Sequence, residues 1–284
     1  MKIGFIGLGI MGKPMTKNLL KAGYDILAYS RRQESINEMI PLGAQAAKTI
    51  ADVAQNCDII ITMLPDGPDV KEVILGSDGV LTHAKSGTVV VDMSSIAPAV
   101  AQEIHAACIK KDVDFLDAPV SGGEPKAIDG TLSIMVGGDF AVFERVRKVL
   151  LTMGASAVHC GEIGAGNTTK LANQIIVALN IAAVSEAINL SNKAGVDPQK
   201  VFEAIKGGLA GSTVMNAKLP MIIDGNINPG FKLDLHVKDL LNVINTAEAV
   251  DAQIPFTTQI LEIMQNLQKQ GYGQNDHSVI SKYY

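Results

Sequence analysis

The glycine pattern near the N-terminus is the feature that most restricts what this chain can fold into. The run Gly7-Leu8-Gly9-Ile10-Met11-Gly12 directly follows a β-branched segment at 3–6 and directly precedes a segment of helical character. In this context the first glycine permits a tight turn, the second lets a phosphate approach the backbone, and the third lets the helix pack closely on the strand. The amide groups and dipole of a helix N-terminus attract anions. The pattern therefore predicts a βαβ unit that binds the pyrophosphate of a dinucleotide.

Short strand-like runs alternate with helical segments up to about residue 160. Such alternation predicts parallel strands joined by crossover helices, with both faces of the sheet covered. The predicted strands of this sheet are 3–6, 26–29, 59–63, 89–92 and 114–116, and two further runs at 133–136 and 157–160 extend it.

From residue 165 onward the sequence predicts helices and no strand. A long segment without Pro or Gly spans 167–194, and Gly195 follows at the position where a glycine ends a helix. Further helices are predicted at 198–205, 212–223, 235–250 and 257–270, with a short one after Asp276. The predicted fold class is α/β: a Rossmann-type doubly wound sheet in a domain at 1–163, then a long connecting helix and an all-α domain within 164–284.

Composition and charge argue against several classes of protein. Apolar residues make up 47% of the chain and Trp is absent, so the core must be largely aliphatic. The net charge is −5 with Lys and Arg scattered, which indicates no nucleic-acid partner. The three cysteines lie far apart and no Cys or His has metal-ligand spacing, so no disulfide framework or metal site is predicted. The five histidines have no common spacing and no matching carboxylate motif, so none is predicted to be catalytic. The apolar stretch at 175–184 contains Asn180 and is too short to cross a bilayer, and we expect a cytoplasmic protein.

The end of the second predicted strand favours NADP as the cofactor. An acidic residue usually holds the ribose 2′-hydroxyl at this strand end, whereas this chain has Ser30, Arg31 and Arg32 there. The serine hydroxyl can hydrogen-bond a 2′-phosphate, and the arginines can pair with its charge. The alternative is that both arginines are solvated loop residues, which leaves NAD open.

A second glycine-containing loop follows the strand that ends near Asp117. Ser121, Gly122 and Gly123 offer a hydroxyl group and exposed backbone amides beyond the carboxyl end of a strand, where ligands bind in open α/β sheets. The loop suits a carboxylate, but an ordinary turn is an equally good interpretation of these residues alone.

Four motifs in this order resemble the β-hydroxyacid dehydrogenase family. They are GLGIMGKPM at 7–15, DAPVSGG at 117–123, GAGNTTKLANQ at 164–174 and LHVKDL at 235–240. The segments GEPKAIDGTL at 123–132 and GGLAGST at 207–213 resemble the tartronate semialdehyde reductase subgroup of that family. One departure is Ser30, which stands where members of that subgroup carry an acid; it puts the use of NADH in doubt and leaves the substrate class unchanged.

The resemblance implies that Lys170 is the proton donor and acceptor, with Asn173 and Ser121 as further catalytic residues. Lys170 lies early in the long predicted helix, and Asn173 and Gln174 follow on the same helical face. Without the resemblance, a lysine on a helix would be assigned to solvent. By the same match, the substrate-binding residues are Ser121, Gly122, Gly123, Asn173, Gln174 and Asp239. The cofactor-binding residues are Gly7, Leu8, Gly9, Ile10, Met11, Gly12, Ser30, Arg31, Arg32, Met63, Leu64, Pro65, Ser94, Ser95, Phe231 and Lys238.

These residues predict reduction of a short semialdehyde carboxylate to a β-hydroxy acid, and tartronate semialdehyde to D-glycerate is the favoured reaction. The alternatives are 3-hydroxyisobutyrate dehydrogenase activity and reduction of glyoxylate or succinic semialdehyde. From a different class, the chain could be a non-catalytic module that senses NAD(P); retention of the lysine favours an enzyme. The apolar C-terminal helices predict a homodimer or a homotetramer.

Overall fold

The computed structural model of this protein describes all 284 residues. The chain divides into two compact units, Met1–Lys170 and Leu171–Tyr284. The division falls inside one continuous helix, Ala165–Lys193. Each unit is described on its own below.

Unit 1 is built on one nine-stranded sheet. Its strands are β1 Lys2–Ile6, β2 Asp25–Tyr29, β3 Gln45–Ala46, β4 Ile59–Thr62, β5 Val89–Asp92, β6 Asp114–Asp117, β7 Val120–Ser121, β8 Leu132–Gly137 and β9 Gly154–Gly161. The strand order is β3-β2-β1-β4-β5-β6-β8-β7, and β9 pairs with β8. Strands β1 to β6 pair in parallel, which confirms the predicted doubly wound arrangement. Strand β8 runs antiparallel to β6 and β7.

The central strands are aliphatic because both of their faces are covered. Every residue of β4 and β5 is buried. Along β1, Ile3 and Phe5 belong to the core cluster on one face of the sheet, and Ile6 to the cluster on the other. Alternation of side chains between faces produces this division, and burial of both faces explains the near-continuous apolar runs.

Helices cover the sheet and connect its strands. Those of unit 1 are α1 Gly12–Lys21, α2 Gln33–Asn37, α3 Ile50–Asn56, α4 Gly67–Leu75, α5 Val80–His83, α6 Pro98–Ile109, α7 Gly123–Asp129 and α8 Phe140–Met153. Then follow α9 Ala165–Lys193, α10 Pro198–Ile205, α11 Thr213–Ile223, α12 Leu233–Ala249 and α13 Pro255–Leu267. A π-helical segment, Gln268–Tyr272, and a 3₁₀ segment, His277–Tyr283, end the chain.

Unit 2 is helical, as predicted. Its core packs side chains of α9, α12 and α13 together with the C-terminal 3₁₀ segment, as illustrated by Ala178, Leu240, Met264 and Ile280. By length and composition α9 is the one helix that could cross a bilayer, with a mean hydropathy of 1.6. Because the core helices of water-soluble proteins pass the same test, and because α9 contributes Ala178 to this core, the helix is weak evidence for a membrane span.

Candidate functional site

The turn between β1 and α1 depends on its glycines. Gly7 has a φ of 106°, in the left-handed region, and its amide donates to the Tyr29 carbonyl oxygen at 3.0 Å. A β-carbon on Gly12 would overlap the Gly7 carbonyl oxygen, whereas one on Gly9 would meet no atom within 4 Å. Gly9 thus borders open space beside the N-terminus of α1, which fits the pyrophosphate of a dinucleotide. The remaining turn residues are Leu8, which is buried, Ile10, which is exposed, and Met11, which is half-buried.

The end of β2 carries the two arginines in exposed positions. The Arg31 guanidinium donates to the Asp69 carboxylate of α4 at 3.0 Å, and the Arg31 side chain is 76% exposed. The Ser30 hydroxyl oxygen accepts a hydrogen bond from the Arg32 amide at 3.2 Å. Sequence reasoning did not find Asp69, because it lies 38 residues from Arg31. The fold therefore brings a carboxylate to a strand end whose own sequence has none.

The loops after β4 and β5 are joined by a buried serine. The Leu64 amide donates to the Ser94 hydroxyl oxygen at 2.9 Å, and that hydroxyl donates to Asp92 Oδ1 at 2.6 Å. Ser94 is fully buried, so its hydroxyl lies inside the protein. The other residues predicted here are Met63 and Ser95, which are half-buried, and Pro65, which is exposed.

Asp92 is a fully buried carboxyl at the end of β5. Its Oδ1 accepts from the Thr62 and Ser94 hydroxyls and from the Ser94 amide, whereas its Oδ2 has no hydrogen-bond partner. Burial raises the pKa of Asp92 from 3.8 to about 6, against the opposing effect of these hydrogen bonds. Sequence analysis missed this group, although an acid that ends an aliphatic strand is an unusual signal.

Replacing Asp92 by Asn should remove a pH dependence of stability. Because the folded pKa is raised, the folded state binds more protons than the unfolded state between pH 3.8 and about 6, so wild-type stability falls as pH rises through that window. The difference in unfolding free energy between Asp92→Asn and wild type should therefore grow in favour of the variant by roughly 3 kcal/mol across the window. Urea unfolding at several pH values measures this. A difference that is flat with pH would show that the pKa of Asp92 is not raised in the folded protein.

The Ser121 loop lies beyond the end of β6. Ser121 is the last residue of β7 and is half-buried, and Gly122 and Gly123 have φ angles of 141° and 68°. Side chains rarely adopt these angles, so the two glycines allow the turn that starts α7. Because β1, β2, β4, β5 and β6 are parallel, their following loops meet at one edge of the sheet. This edge therefore brings together the glycine turn, the Ser30 to Arg32 segment, the loops after β4 and β5, and Ser121 to Gly123.

Lys170 is the last residue of unit 1 and lies in the second turn of α9. Its relative exposure is only 7%, which is unusual for a lysine. The first turn of α9 is hydrogen-bonded to Asp117, the residue that ends β6. The helix start is therefore attached to the same edge of the sheet as the loops described above.

In unit 2, four of the predicted site residues form one hydrogen-bonded chain. The side-chain NH₂ group of Asn173 donates to Gln174 Oε1 at 2.9 Å, and the side-chain NH₂ group of Gln174 donates to Asp239 Oδ2 at 2.5 Å. Asp239 also pairs with the Lys238 ammonium at 2.9 Å. Gln174 and Asp239 are almost fully buried. Because the Gln174 side chain accepts from Asn173 through its oxygen and donates to Asp239 through its nitrogen, it fixes the orientation of both side chains.

A buried pair of histidines lies next to these hydrogen-bonded residues. His236 and His277 approach through their Nδ1 atoms at 2.8 Å, and His236 Nε2 lies 3.2 Å from the Gln174 carbonyl oxygen. The Phe231 ring contacts both imidazoles, with centroid distances of 5.8 and 5.4 Å. Sequence spacing could not reveal the pair, because its members are 41 residues apart. No group of three or more His, Cys, Asp or Glu side chains has the arrangement of a metal site.

Two family models together span nearly the whole chain. Residues 2–161 match the NAD binding domain of 6-phosphogluconate dehydrogenase, and residues 164–284 match the NAD-binding domain of NADP-dependent 3-hydroxyisobutyrate dehydrogenase. The chain belongs to the β-hydroxyacid dehydrogenase family of NAD(P)-dependent oxidoreductases. This confirms the resemblance and the enzyme class predicted from the four motifs, and nothing in these matches supports a non-catalytic module.

Individual relatives agree with this assignment. The chain is 44% identical to the 2-hydroxy-3-oxopropionate reductase of Escherichia coli (strain K12), over 99% of this chain and 96% of that protein. It is 39% identical to the 2-(hydroxymethyl)glutarate dehydrogenase of Eubacterium barkeri, over 99% and 94%. Among solved structures, the 3-hydroxyisobutyrate dehydrogenase of Mycobacterium tuberculosis with L-serine superposes with a TM-score of 0.91, at 30% identity and over 99% and 98% of the two chains.

Proposed function

We propose that this enzyme reduces tartronate semialdehyde to D-glycerate, with Lys170 as the general acid. The observation that carries the proposal is the buried position of Lys170 on a helix whose start is bonded to the ligand-binding edge of the sheet. The identity of 44% to a 2-hydroxy-3-oxopropionate reductase supports the choice of substrate. When bound, NAD(P)H would supply the hydride.

The residues of the chain would bind the substrate and move its proton. Ser121 and the amides of Gly122 and Gly123 would hold the substrate carboxylate. Reduction of the carbonyl group places negative charge on its oxygen, and the Lys170 ammonium would transfer a proton to that oxygen. Lysine is left neutral and regains its proton from solvent. In the reverse direction, neutral Lys170 would remove the hydroxyl proton.

Five residues of unit 2 would also act on the substrate or the cofactor. Asn173 would hold the reacting region of the substrate, and its link to Gln174 supports this because a side chain oriented by a buried partner presents its amide in one direction. Gln174 and Asp239 would line the substrate region, while Lys238 and Phe231 would contact the cofactor. The ion pair of Lys238 with buried Asp239 fixes that ammonium.

A panel of aldehyde acids with both cofactors tests the proposal. Tartronate semialdehyde should give the highest kcat/KM, ahead of the aldehyde acid formed by oxidation of 3-hydroxyisobutyrate, ahead of succinic semialdehyde and ahead of glyoxylate. NADPH should be preferred over NADH, because Ser30, Arg31 and Arg32 present a hydroxyl and two guanidinium groups at the end of β2. A higher kcat/KM for another aldehyde acid would reassign the substrate within the family.

Arg31→Ala should lower kcat/KM for NADPH by about 10-fold and change that for NADH little, because a guanidinium contributes a charge-assisted hydrogen bond only to a 2′-phosphate. Asp69→Asn is the matched variant. It should raise kcat/KM for NADPH, since it frees the Arg31 guanidinium from its present partner. Equal losses for both cofactors in Arg31→Ala would contradict a role in NADPH selection.

We also propose that the enzyme is a cytoplasmic homodimer or homotetramer. Exposed apolar side chains on unit 2 support the association, among them Ile176, Leu190, Leu209, Val250 and Phe256. The buried free thiols of Cys57 and Cys108 fit a reducing compartment. A monomeric mass in light scattering would exclude the proposed assembly.

A further inference from the structure

Asp117 is a buried carboxylate that binds the start of α9. Its Oδ1 accepts from the Gly164 amide at 2.8 Å, and its Oδ2 accepts from the Asn167 amide at 2.7 Å and from the Asn167 side-chain amide at 3.2 Å. The first amides of a helix have no partner within the helix, and buried amides need one. A single side chain at the end of β6 therefore accepts from the amide just before α9 and from an amide in its first turn.

Asn167 extends this attachment to a second strand end. While its side-chain NH₂ donates to Asp117, its Oδ1 accepts from the Ile96 amide at 3.1 Å. Ile96 lies in the segment after β5, and Asn167 is fully buried. The first turn of α9 is thus joined to the end of β6 and to the segment that follows β5.

Two glycines let the helix approach closely enough for these bonds. A β-carbon on Gly166 would lie 2.9 Å from Asp117 Oδ2, and one on Gly137 would lie 2.7 Å from the Gly166 amide nitrogen. Backbone and carboxylate occupy the space that side chains would fill, so neither position has room for one. The helix start has little freedom to shift along the sheet.

The anchored first turn of α9 directly precedes the turn that carries Lys170. Asn167 precedes Lys170 by three residues, so the two side chains lie on neighbouring positions of one helical face. A helix transmits a displacement of its first turn to the next turn almost unchanged, because its backbone hydrogen bonds make it rigid. Misplacement of a proton donor by about 1 Å can lower a rate by roughly 10²-fold.

We propose that Asp117 and Asn167 are positioning residues, which act on the reaction by fixing the first turn of α9 and so holding the Lys170 ammonium in place. The inference rests on the proposed role of Lys170. Neither residue needs to touch the substrate or the cofactor in this proposal. The group formed by Asp117, Asn167 and the Gly164 amide is called the α9 anchor below.

The protonation state of Asp117 suits this task above pH 6. Burial raises the pKa of Asp117 to about 6, while the amide donors of Gly164 and Asn167 oppose that rise. Near neutral pH the carboxylate is therefore ionised and can accept from all three donors. An asparagine at this position would place its side-chain NH₂ group against a backbone amide that is also a donor, so one of these hydrogen bonds would be lost.

The test measures steady-state kinetics of Asn167→Ala and Asp117→Asn in the full-length enzyme. Both should lower kcat by roughly 10- to 100-fold, with KM and the NADPH dissociation constant changed less than about 3-fold. Asp117→Asn keeps the volume of the side chain, so it remains a test of the proposal if Asn167→Ala does not fold. Asp139→Ala is the matched control, since it removes a carboxylate that caps α8 in the same unit, where Asp139 accepts from the Val142 amide at 2.9 Å. It should leave kcat unchanged.

A double-mutant cycle separates the inference from the proposed function. If Asn167 acts through Lys170, Asn167→Ala should cause no further loss of kcat in a Lys170→Met background. Three results would overturn the positioning role. Asn167→Ala could lower kcat by the same factor with and without Lys170, both anchor variants could keep a near-normal kcat, or Asp139→Ala could lower kcat as much as they do. If Lys170→Met itself retains turnover, the proposed function fails first, and the anchor loses its role in the reaction with it.

Discussion

Replacing Lys170 by methionine is expected to reduce kcat by roughly 10²- to 10⁴-fold, the usual contribution of a positioned acid–base group. Methionine keeps most of the length of the side chain and fills the space that the buried lysine stem occupies, but it offers no proton. NADPH affinity should stay within about 2-fold of wild type, because the glycine turn and the end of β2 are unchanged. Hydride-transfer assays at 340 nm and calorimetric titration of the cofactor measure the two quantities.

The matched control for this substitution lies on the same helix. Lys193→Met changes an exposed lysine in the last turn of α9 and should leave both kcat and KM unchanged. If Lys170→Met keeps more than about a tenth of wild-type turnover, another group must donate the proton.

Asp276→Ala is expected to have the largest effect on stability. Asp276 is fully buried, and its carboxylate binds the Lys218 ammonium at 2.9 Å through both oxygens. It also accepts from the amides of Gly230, Phe231 and Ser278 at 2.9 to 3.0 Å. Removing one partner of a buried ion pair typically costs about 3–5 kcal/mol. Here the charge left without its partner is on Lys218, whose side chain is 14% exposed, so we expect a loss near the lower end of this range. Urea unfolding of the full chain followed by circular dichroism measures this, since the chain has no Trp for fluorescence.

The pH dependence of this effect has a definite sign. Burial alone would raise the pKa of Asp276, but Lys218 and the amide donors outweigh it and hold the pKa below its ordinary value of 3.8. The stabilisation is therefore present above pH 3.8 and is lost as pH falls through the folded pKa. Lys218→Met combined with Asp276→Asn should recover part of the loss, because no charge is left without its partner. If Asp276→Ala lowers the free energy of unfolding equally at pH 3 and pH 7, the ion pair makes no contribution to stability.

Local sequence patterns predicted those parts of the molecule whose interactions are local. The glycine turn, the aliphatic strands and the long helices each carry their signal within a few consecutive residues, and the structure confirms the doubly wound sheet and the helical second unit. Strands β3 and β7 were not predicted, because each has only two residues and no run of apolar side chains. The antiparallel position of β8 was also missed, since pairing direction depends on the path of the chain.

The supporting residues of the site could not be predicted in the same way. Asp117 was visible as part of a motif, but its attachment to Gly164 and Asn167 joins residues 47 and 50 positions apart. The partner of Arg31 and the pairing of His236 with His277 are equally remote in sequence. One signal was available: Asp92 and Asp117 end neighbouring apolar strands, where an acid is costly unless the fold supplies donors.

The buried hydroxyl of Ser94 makes two neighbouring loops mechanically dependent on each other. Because it accepts from the Leu64 amide while it donates to Asp92, the segment after β4 cannot move away from the segment after β5 without breaking this bridge. A change in specificity that requires one loop to be rebuilt would therefore require a compensating change in the other. Variants selected for a new cofactor or a bulkier aldehyde should accordingly acquire substitutions in both loops as a pair.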